Sequence, residues 1–324
     1  MINSLTGKAL KTEQRCDWLS MHIYYEGDLS AMLRNCIAPL LHNNIVLRHI
    51  GNFFFIRYFE LGKHLRLRLR VDINHKEYVY SYSVARISSY IAKYPSVNIG
   101  RAIDWPPNNS IQVLDYVPEV WRYGGSYGLH FAEEHFRHSS EIILKYLCKS
   151  KQWDYNNSLN TAIKLHVILI TCAFKNDLDT AILVLKTIWS KRSMVAFRSQ
   201  NNLDLNRLES QYFGRYLKDK ILFAPFIVKL IHGVYENIDY TDNILNEWKK
   251  DTHYFVESIT HLISANKLLN LEGICKNMRE AESIIESCMH MTNNRLAIHI
   301  SDEGYLYYLI MNSLIEIRED GKYK

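Results

Sequence analysis

The stretch FFFIRYFELGKHLRLRLRV, Phe53 to Val71, restricts the fold more than any other part of the chain. It reads as two short strands joined by a turn at Leu61-Gly62-Lys63. Side chains alternate along a strand, so His64, Arg66, Arg68 and Arg70 point one way while Leu65, Leu67, Leu69 and Val71 point the other. The three arginines span roughly 13 Å at about 3.3 Å per residue. Such a row of charge needs solvent or anionic partners. Two readings fit it. It is either a solvated face whose charges keep sheets from associating, or an anion-binding floor, because guanidinium forks match carboxylates in pairs and stay charged.

The flanking sequence extends these strands into a sheet. Residues 1–15 are polar and are expected to be flexible. Asp17 to Tyr25 reads as a first strand rich in apolar and aromatic residues. Asp28 or Ser30 can cap a helix through Met32, Leu33, Cys36, Ile37, Leu40 and Leu41, which Pro39 should kink or stop early. After the paired strands, Val84, Ile87 and Ile91 recur at helical spacing, and Ser110 to Val117 forms a strand behind the Asp104 to Asn109 loop. The order strand, helix, strand, strand, helix, strand is that of a ferredoxin-like sheet with helices on one face.

From Pro118 onward helical periodicity takes over. Helices are expected at Phe131–Leu147, Asn160–Cys172, Asp179–Trp189, Glu209–Ile231, Thr241–Leu268, Glu272–Met289 and Glu303–Ile315. The predicted class is therefore α+β: a mixed or antiparallel ferredoxin-like sheet part over residues 16–127, then a largely helical part over 128–324. Of the 324 residues 48% are hydrophobic and 23% charged, enough for a substantial core. A net charge of +5 with dispersed basic residues does not indicate a nucleic-acid surface. The 6 cysteines form no CxxC pair and read as buried free thiols. With no signal peptide and no run long enough to cross a bilayer, a cytoplasmic location is expected.

Two clusters carry possible chemistry. In YVPEVWRYGG, Tyr116 to Gly125, a strand end leads through a Gly-Gly turn towards a helix, a place where backbone N–H groups meet anions. The plain alternative is a tight turn with Glu119 paired to Arg122. In HMTNNRL, His290 to Leu296, a histidine and an arginine share what reads as a loop, and a lone histidine is more often a hydrogen-bonded structural residue than a catalyst. The 14 histidines form no metal-ligand spacing, and no P-loop, GxGxxG or GxSxG is present, so no metal and no cofactor are expected.

Together with Trp18 and Ile23-Tyr24-Tyr25, and with HFAEEHFRHSS (His130 to Ser140), these motifs resemble in order the C-terminal elimination domain of class I lantibiotic dehydratases. That domain also occurs as a free-standing protein in thiopeptide-type bacteriocin pathways. The resemblance runs from Trp18 to about Leu314. It implies elimination of glutamate from O-glutamylated Ser or Thr of a precursor peptide, giving dehydroalanine or dehydrobutyrine. The partners it implies are that peptide and a separate glutamylating dehydratase subunit that uses glutamyl-tRNA; a homodimer is compatible with it. Arg66, Arg68, Arg122 and His290 are the implied catalytic residues. Arg57, His64, Arg70, Tyr123, Asn294 and Arg295 are the implied substrate-binding residues. Two other activities stay open: a thiopeptide pyridine synthase joining two dehydroalanines in a formal [4+2] cycloaddition with leader release, and a non-catalytic subunit that presents the precursor.

Overall fold

The computed structural model describes residues 16–97, 100, 102–150, 152–175, 177–197 and 204–321. The expected flexible N-terminus, 1–15, lies outside them. The chain divides into two compact units, Met1–Val117 and Pro118–Lys324.

The first unit is the ferredoxin-like sheet that the element order implied. Strands β1 (Cys16–Tyr24), β2 (Ile50–Tyr58), β3 (His64–Asp72) and β4 (Ser110–Val113) pair in the order β2-β3-β1-β4, with every neighbouring pair antiparallel. Leu19, Met21 and Ile23 of β1, Phe53 and Phe55 of β2, and Leu65, Leu67, Leu69 and Val71 of β3 share one face in register, and all are buried. Helix α4 (Lys76–Lys93) contributes Val79, Ile87 and Ile91 to the same core. Between β1 and β2 run α1 (Leu29–Met32), a π-helical stretch (Leu33–Ile37), α2 (Ala38–Leu41) and the short α3 (Asn44–Leu47). Asp28 caps α1, accepting from the Ser30 amide at 2.7 Å. Pro39 neither stops this segment nor ends it early. Proline has no N–H for the ladder and its ring crowds the preceding turn, and the wider π spacing just ahead of it accommodates both.

The second unit is helical: α5 (Gly125–Lys149), α6 (Tyr155–Ala173), α7 (Leu178–Ala196), α8 (Leu205–Tyr235), α9 (Asn243–Ser264), α10 (Glu282–Leu296) and α11 (Ile300–Glu319). An aspartate side chain accepts from first-turn amides at the start of four of them, through Asp154, Asp177, Asp204 and Asp242. Two expectations change here. Residues Leu269–Asn270 (β5) and Gly273–Ile274 (β6) form a small hairpin where a helix from Glu272 was expected. Gly273, at φ 131°, turns the chain in a conformation that side-chain-bearing residues avoid. Helix α10 starts only at Glu282 and runs past Met289, so His290 lies inside a helix and not in a loop.

The turn Val120–Tyr123 belongs with the helices, which is why the division falls at Val117/Pro118, ahead of residue 127. Tyr123 packs edge-on to Phe136 of α5 at 4.9 Å, and Arg122 Nε donates to Ser287 Oγ of α10 at 3.0 Å. Gly124 follows at φ 90°. A Cβ at Gly128 would meet the Tyr123 carbonyl oxygen at 2.1 Å, so only glycine lets this turn lie on α5. Leu268 and Leu269 side chains pack against Gly124 and Gly125 at the start of α5.

Candidate functional site

On the sheet, the face opposite the buried leucines carries the cationic row. Register places Arg66 beside His22 and Ile56, Arg68 beside Ser20 and Phe54, and Arg70 beside Trp18 and Asn52. Arg66 and Arg68 lie over aromatic rings. The Arg66 guanidinium lies 3.4 Å over the centroid of Tyr58, and its Nε donates to His64 Nε2 at 3.1 Å. His64 Nδ1 lies 2.7 Å from the Gly62 carbonyl oxygen, so the proton is on Nδ1 and the ring is a neutral acceptor towards Arg66. Arg68 lies 4.4 Å from the centroid of Tyr116 and 5.3 Å from that of Phe54, and Trp18 closes this aromatic group edge-on to both rings. Neither Arg66 nor Arg70 has a carboxylate partner among the described residues. Ser20 Oγ, 1% exposed, has no hydrogen-bond partner among them either.

His22, stacked on His64 at 5.2 Å, is buried in this face. Burial first, then Arg66, His64 and Arg68, lower its pKa from 6.5 to about 3. The folded pKa lies below the unfolded one, so the His22 contribution to stability is complete above about 6.5 and is lost as pH falls from there towards 3. The thermal midpoint should therefore drop through that window on acidification, and drop less steeply in His22→Gln. Equal slopes for the two proteins would remove His22 from the effect.

Arg57 stands apart from the row. It pairs with Leu65 in register, which puts it on the helix-covered face, where Nη2 donates to Ser30 Oγ of α1 at 3.1 Å. It is 4% exposed, and burial lowers its pKa to about 10, an effect partly offset by Asp28. The resemblance implied a substrate-binding role for Arg57, and the alternation of strand faces sets it apart from the cationic row.

In the helical unit a second cluster forms around a cavity of about 400 Å³ whose walls include Arg122, Lys191, Arg192, Ser283, Glu286 and Ser287. Ser283, Glu286, Ser287 and His290 recur at helical spacing along α10, which sets them on one side of it. Arg122 is pinned from two directions, by Ser287 and by Glu119, whose oxygens lie 3.2 Å from its Nη1. The ion pair with Glu119 read from the sequence is thus present, and it does not use the whole guanidinium. Glu286, 3% exposed, pairs with Arg192 and holds Lys191 Nζ at 2.5 Å. Arg192 Nε also lies 3.8 Å from Glu303 Oε2. Glu303, at the start of α11, takes His290 Nδ1 at 2.9 and 3.0 Å. The chain of contacts therefore runs from His290 through Glu303 and Arg192 to Glu286 and Lys191. Sequence reading missed all but the histidine. The available signal was Glu303, a carboxylate heading the otherwise apolar helix GYLYYLIM.

The remaining expected residues fall into two groups. His64 and Arg70 are on the cationic face, as described. Tyr123 is 3% exposed, and burial pushes its hydroxyl pKa upward. Asn294 is half-buried on α10. Arg295 is fully buried, with Nε donating to Ser140 Oγ at 3.0 Å and its guanidinium 5.1 Å from the centroid of Phe136, so it packs the helices together and presents no open face. Its neighbour Asn293, which the sequence did not single out, bridges buried His166 at 2.6 Å and the Tyr307 hydroxyl at 2.8 Å. Cys36, Cys172, Cys275 and Cys288 are buried free thiols, whereas Cys16 is half-buried and Cys148 exposed. Among the described residues no helix is long and apolar enough to cross a membrane, and no three His, Cys, Asp or Glu side chains converge as a metal site.

Known proteins share this architecture. The nisin biosynthesis protein NisB of Lactococcus lactis subsp. lactis is 22% identical over 306 residues, covering 92% of this chain, which spans only 25% of that relative. The pyridine synthase TbtD from thiomuracin biosynthesis has the same fold at a TM-score of 0.72 and 14% identity, over 94% of this chain and 99% of that one. The tRNA-dependent lantibiotic dehydratase MibB from Microbispora sp. 107891 gives a TM-score of 0.58 at 15% identity, over 97% of this chain and 29% of that one. With residues 18–314 matching the family described as lantibiotic biosynthesis dehydratase C-term, the chain belongs to that family.

Proposed function

We propose that this chain is the glutamate-eliminating component of a split class I dehydratase. Its substrate is a precursor peptide whose Ser or Thr side chains carry glutamyl esters, and its products are dehydroalanine or dehydrobutyrine and free glutamate. A separate glutamylating protein, charged through glutamyl-tRNA, supplies the ester. The observation that carries this reading is Arg66, fixed over Tyr58 and by neutral His64, with no carboxylate partner among the described residues.

The reaction has two demands for fixed positive charge. Removing the Cα proton builds an enolate on the peptide carbonyl, and glutamate departs as a carboxylate. Cations already oriented towards such charge lower the barrier because they need no reorganisation as it develops. Arg66 and Arg68 serve these two anions, and Arg122 is a third functional cation. His290 transfers the proton. A base takes the Cα proton, the C–H pair becomes the Cα=Cβ bond, and the Cβ–O bond breaks with its pair on the departing glutamate. His64, Arg70, Tyr123 and Asn294 contribute to substrate binding.

The test is mass spectrometry of an O-glutamylated precursor incubated with the protein. Conversion of each ester to a dehydroamino acid with release of glutamate is expected. Two outcomes would overturn the reading. One is ring closure between two dehydroalanines with loss of the leader and no reaction of the ester, which is pyridine synthase chemistry. The other is tight binding of the precursor without any change in it.

A further inference from the structure

We infer that Glu303 is a positioning residue that sets the tautomer and heading of His290, an inference that rests on the proton-transfer role proposed above. Both Glu303 oxygens face His290 Nδ1, at 2.9 and 3.0 Å, and the carboxylate is 2% exposed. An ionised carboxylate accepts hydrogen bonds and donates none, so the nitrogen facing it carries the proton. A neutral imidazole has one N–H. With that proton at Nδ1, Nε2 keeps its lone pair, and no described residue hydrogen-bonds to it. The ring remains 24% exposed, so Nε2 is the atom it offers to a substrate proton.

Glu303 has a cationic neighbour in this buried place. An isolated buried carboxylate would be costly, but Arg192 Nε lies 3.8 Å away and the first turn of α11 directs its partial positive charge at it. Arg192 is itself held by Glu286, whose second oxygen binds Lys191. The fold makes room for these contacts at the next residue. A Cβ at Gly304 would lie 2.3 Å from Ser193 Oγ, so α11 approaches α7 closely at the level where Arg192 meets Glu303. A proton-transfer imidazole needs one nitrogen committed and the other open to the substrate.

Nitrogen-15 NMR of the full chain, with His290 assigned by its loss in His290→Gln, reads this directly. At a pH where the ring is neutral, the wild type should show Nδ1 protonated and Nε2 bare. Glu303→Gln keeps the shape but offers both a donor and an acceptor, so both tautomers should appear. The same variant should lose ~10- to 100-fold in kcat on the glutamylated peptide with KM changed less than about twofold, the usual scale for groups that orient a functional side chain. A wild-type ring protonated on Nε2 would overturn the inference, and that result needs no variant to fold. So would a folded Glu303→Gln with wild-type tautomer and kcat. A single Nδ1–H tautomer in a wild type that releases no glutamate would instead sink the elimination reading and leave the ring's positioning intact.

Discussion

His290→Ala is expected to leave glutamyl esters in place on a peptide that the protein still binds. On the proposed mechanism, removing the imidazole deletes the proton-transfer group, a loss on the order of 10²- to 10⁴-fold in kcat for general acid–base catalysis. The arginines proposed to bind the anionic parts of the substrate are untouched, so KM should change little. His290 is 24% exposed and its side chain hydrogen-bonds only to Glu303 among the described residues, so the fold should survive. Glu303 and Arg192 would remain paired. The measurement is single-turnover mass spectrometry of the glutamylated precursor beside a binding assay. A variant that eliminates at the wild-type rate would exclude His290 from proton transfer, and one that loses binding and rate together would make it a substrate contact.

Arg68→Lys should cost activity far more than stability. The guanidinium lies over Tyr116 and Phe54 as a flat cation. Lysine keeps the charge but loses the planar stacking and the paired donors. Removing one oriented donor from a developing oxyanion typically costs ~10²- to 10³-fold in kcat. The strand itself should hold, because its folding contacts are the Leu67 and Leu69 side chains on the other face, both at 0% exposure. The comparison is elimination rate against thermal midpoint. Matching losses would mean that Arg68 is a sheet-building residue.

The sheet was readable because its pattern is short-range. Alternation in LRLRLR assigns both faces of β3, and the order of elements gives the ferredoxin-like connection without knowledge of the pairing. The helical unit was readable only in outline. Ile274, Ile284 and Ile285 continue an apolar spacing that resembles one helix, and nothing local reveals that Gly273 reverses the chain just ahead of the first of them. The pair Asn293-Asn294 suggests a loop by composition. Burial decides otherwise, since Asn293 is satisfied by His166 and Tyr307, a residue 127 positions before it and one 14 after it. The His290–Glu303–Arg192 contacts likewise join three helices, and no spacing along the chain encodes them. Arg57 shows the opposite limit: the resemblance named it as a substrate-binding residue, whereas its register opposite Leu65 puts it on the covered face.

The two-sidedness of β3 also bears on how one scaffold can host more than one chemistry. A slip of one residue in its pairing would drive three guanidinium groups among the leucines, so hydrophobic packing locks the register with great force. Yet that lock makes no use of what the opposite side chains are. Substitutions there can rewrite the reactive surface while the strand stays where it is, and substitutions on the leucine side cannot. A protein with the same fold, such as the pyridine synthase TbtD, can therefore carry other side chains on this face without a new architecture. Alternate letters of a single strand are open to such editing while the strand keeps its place.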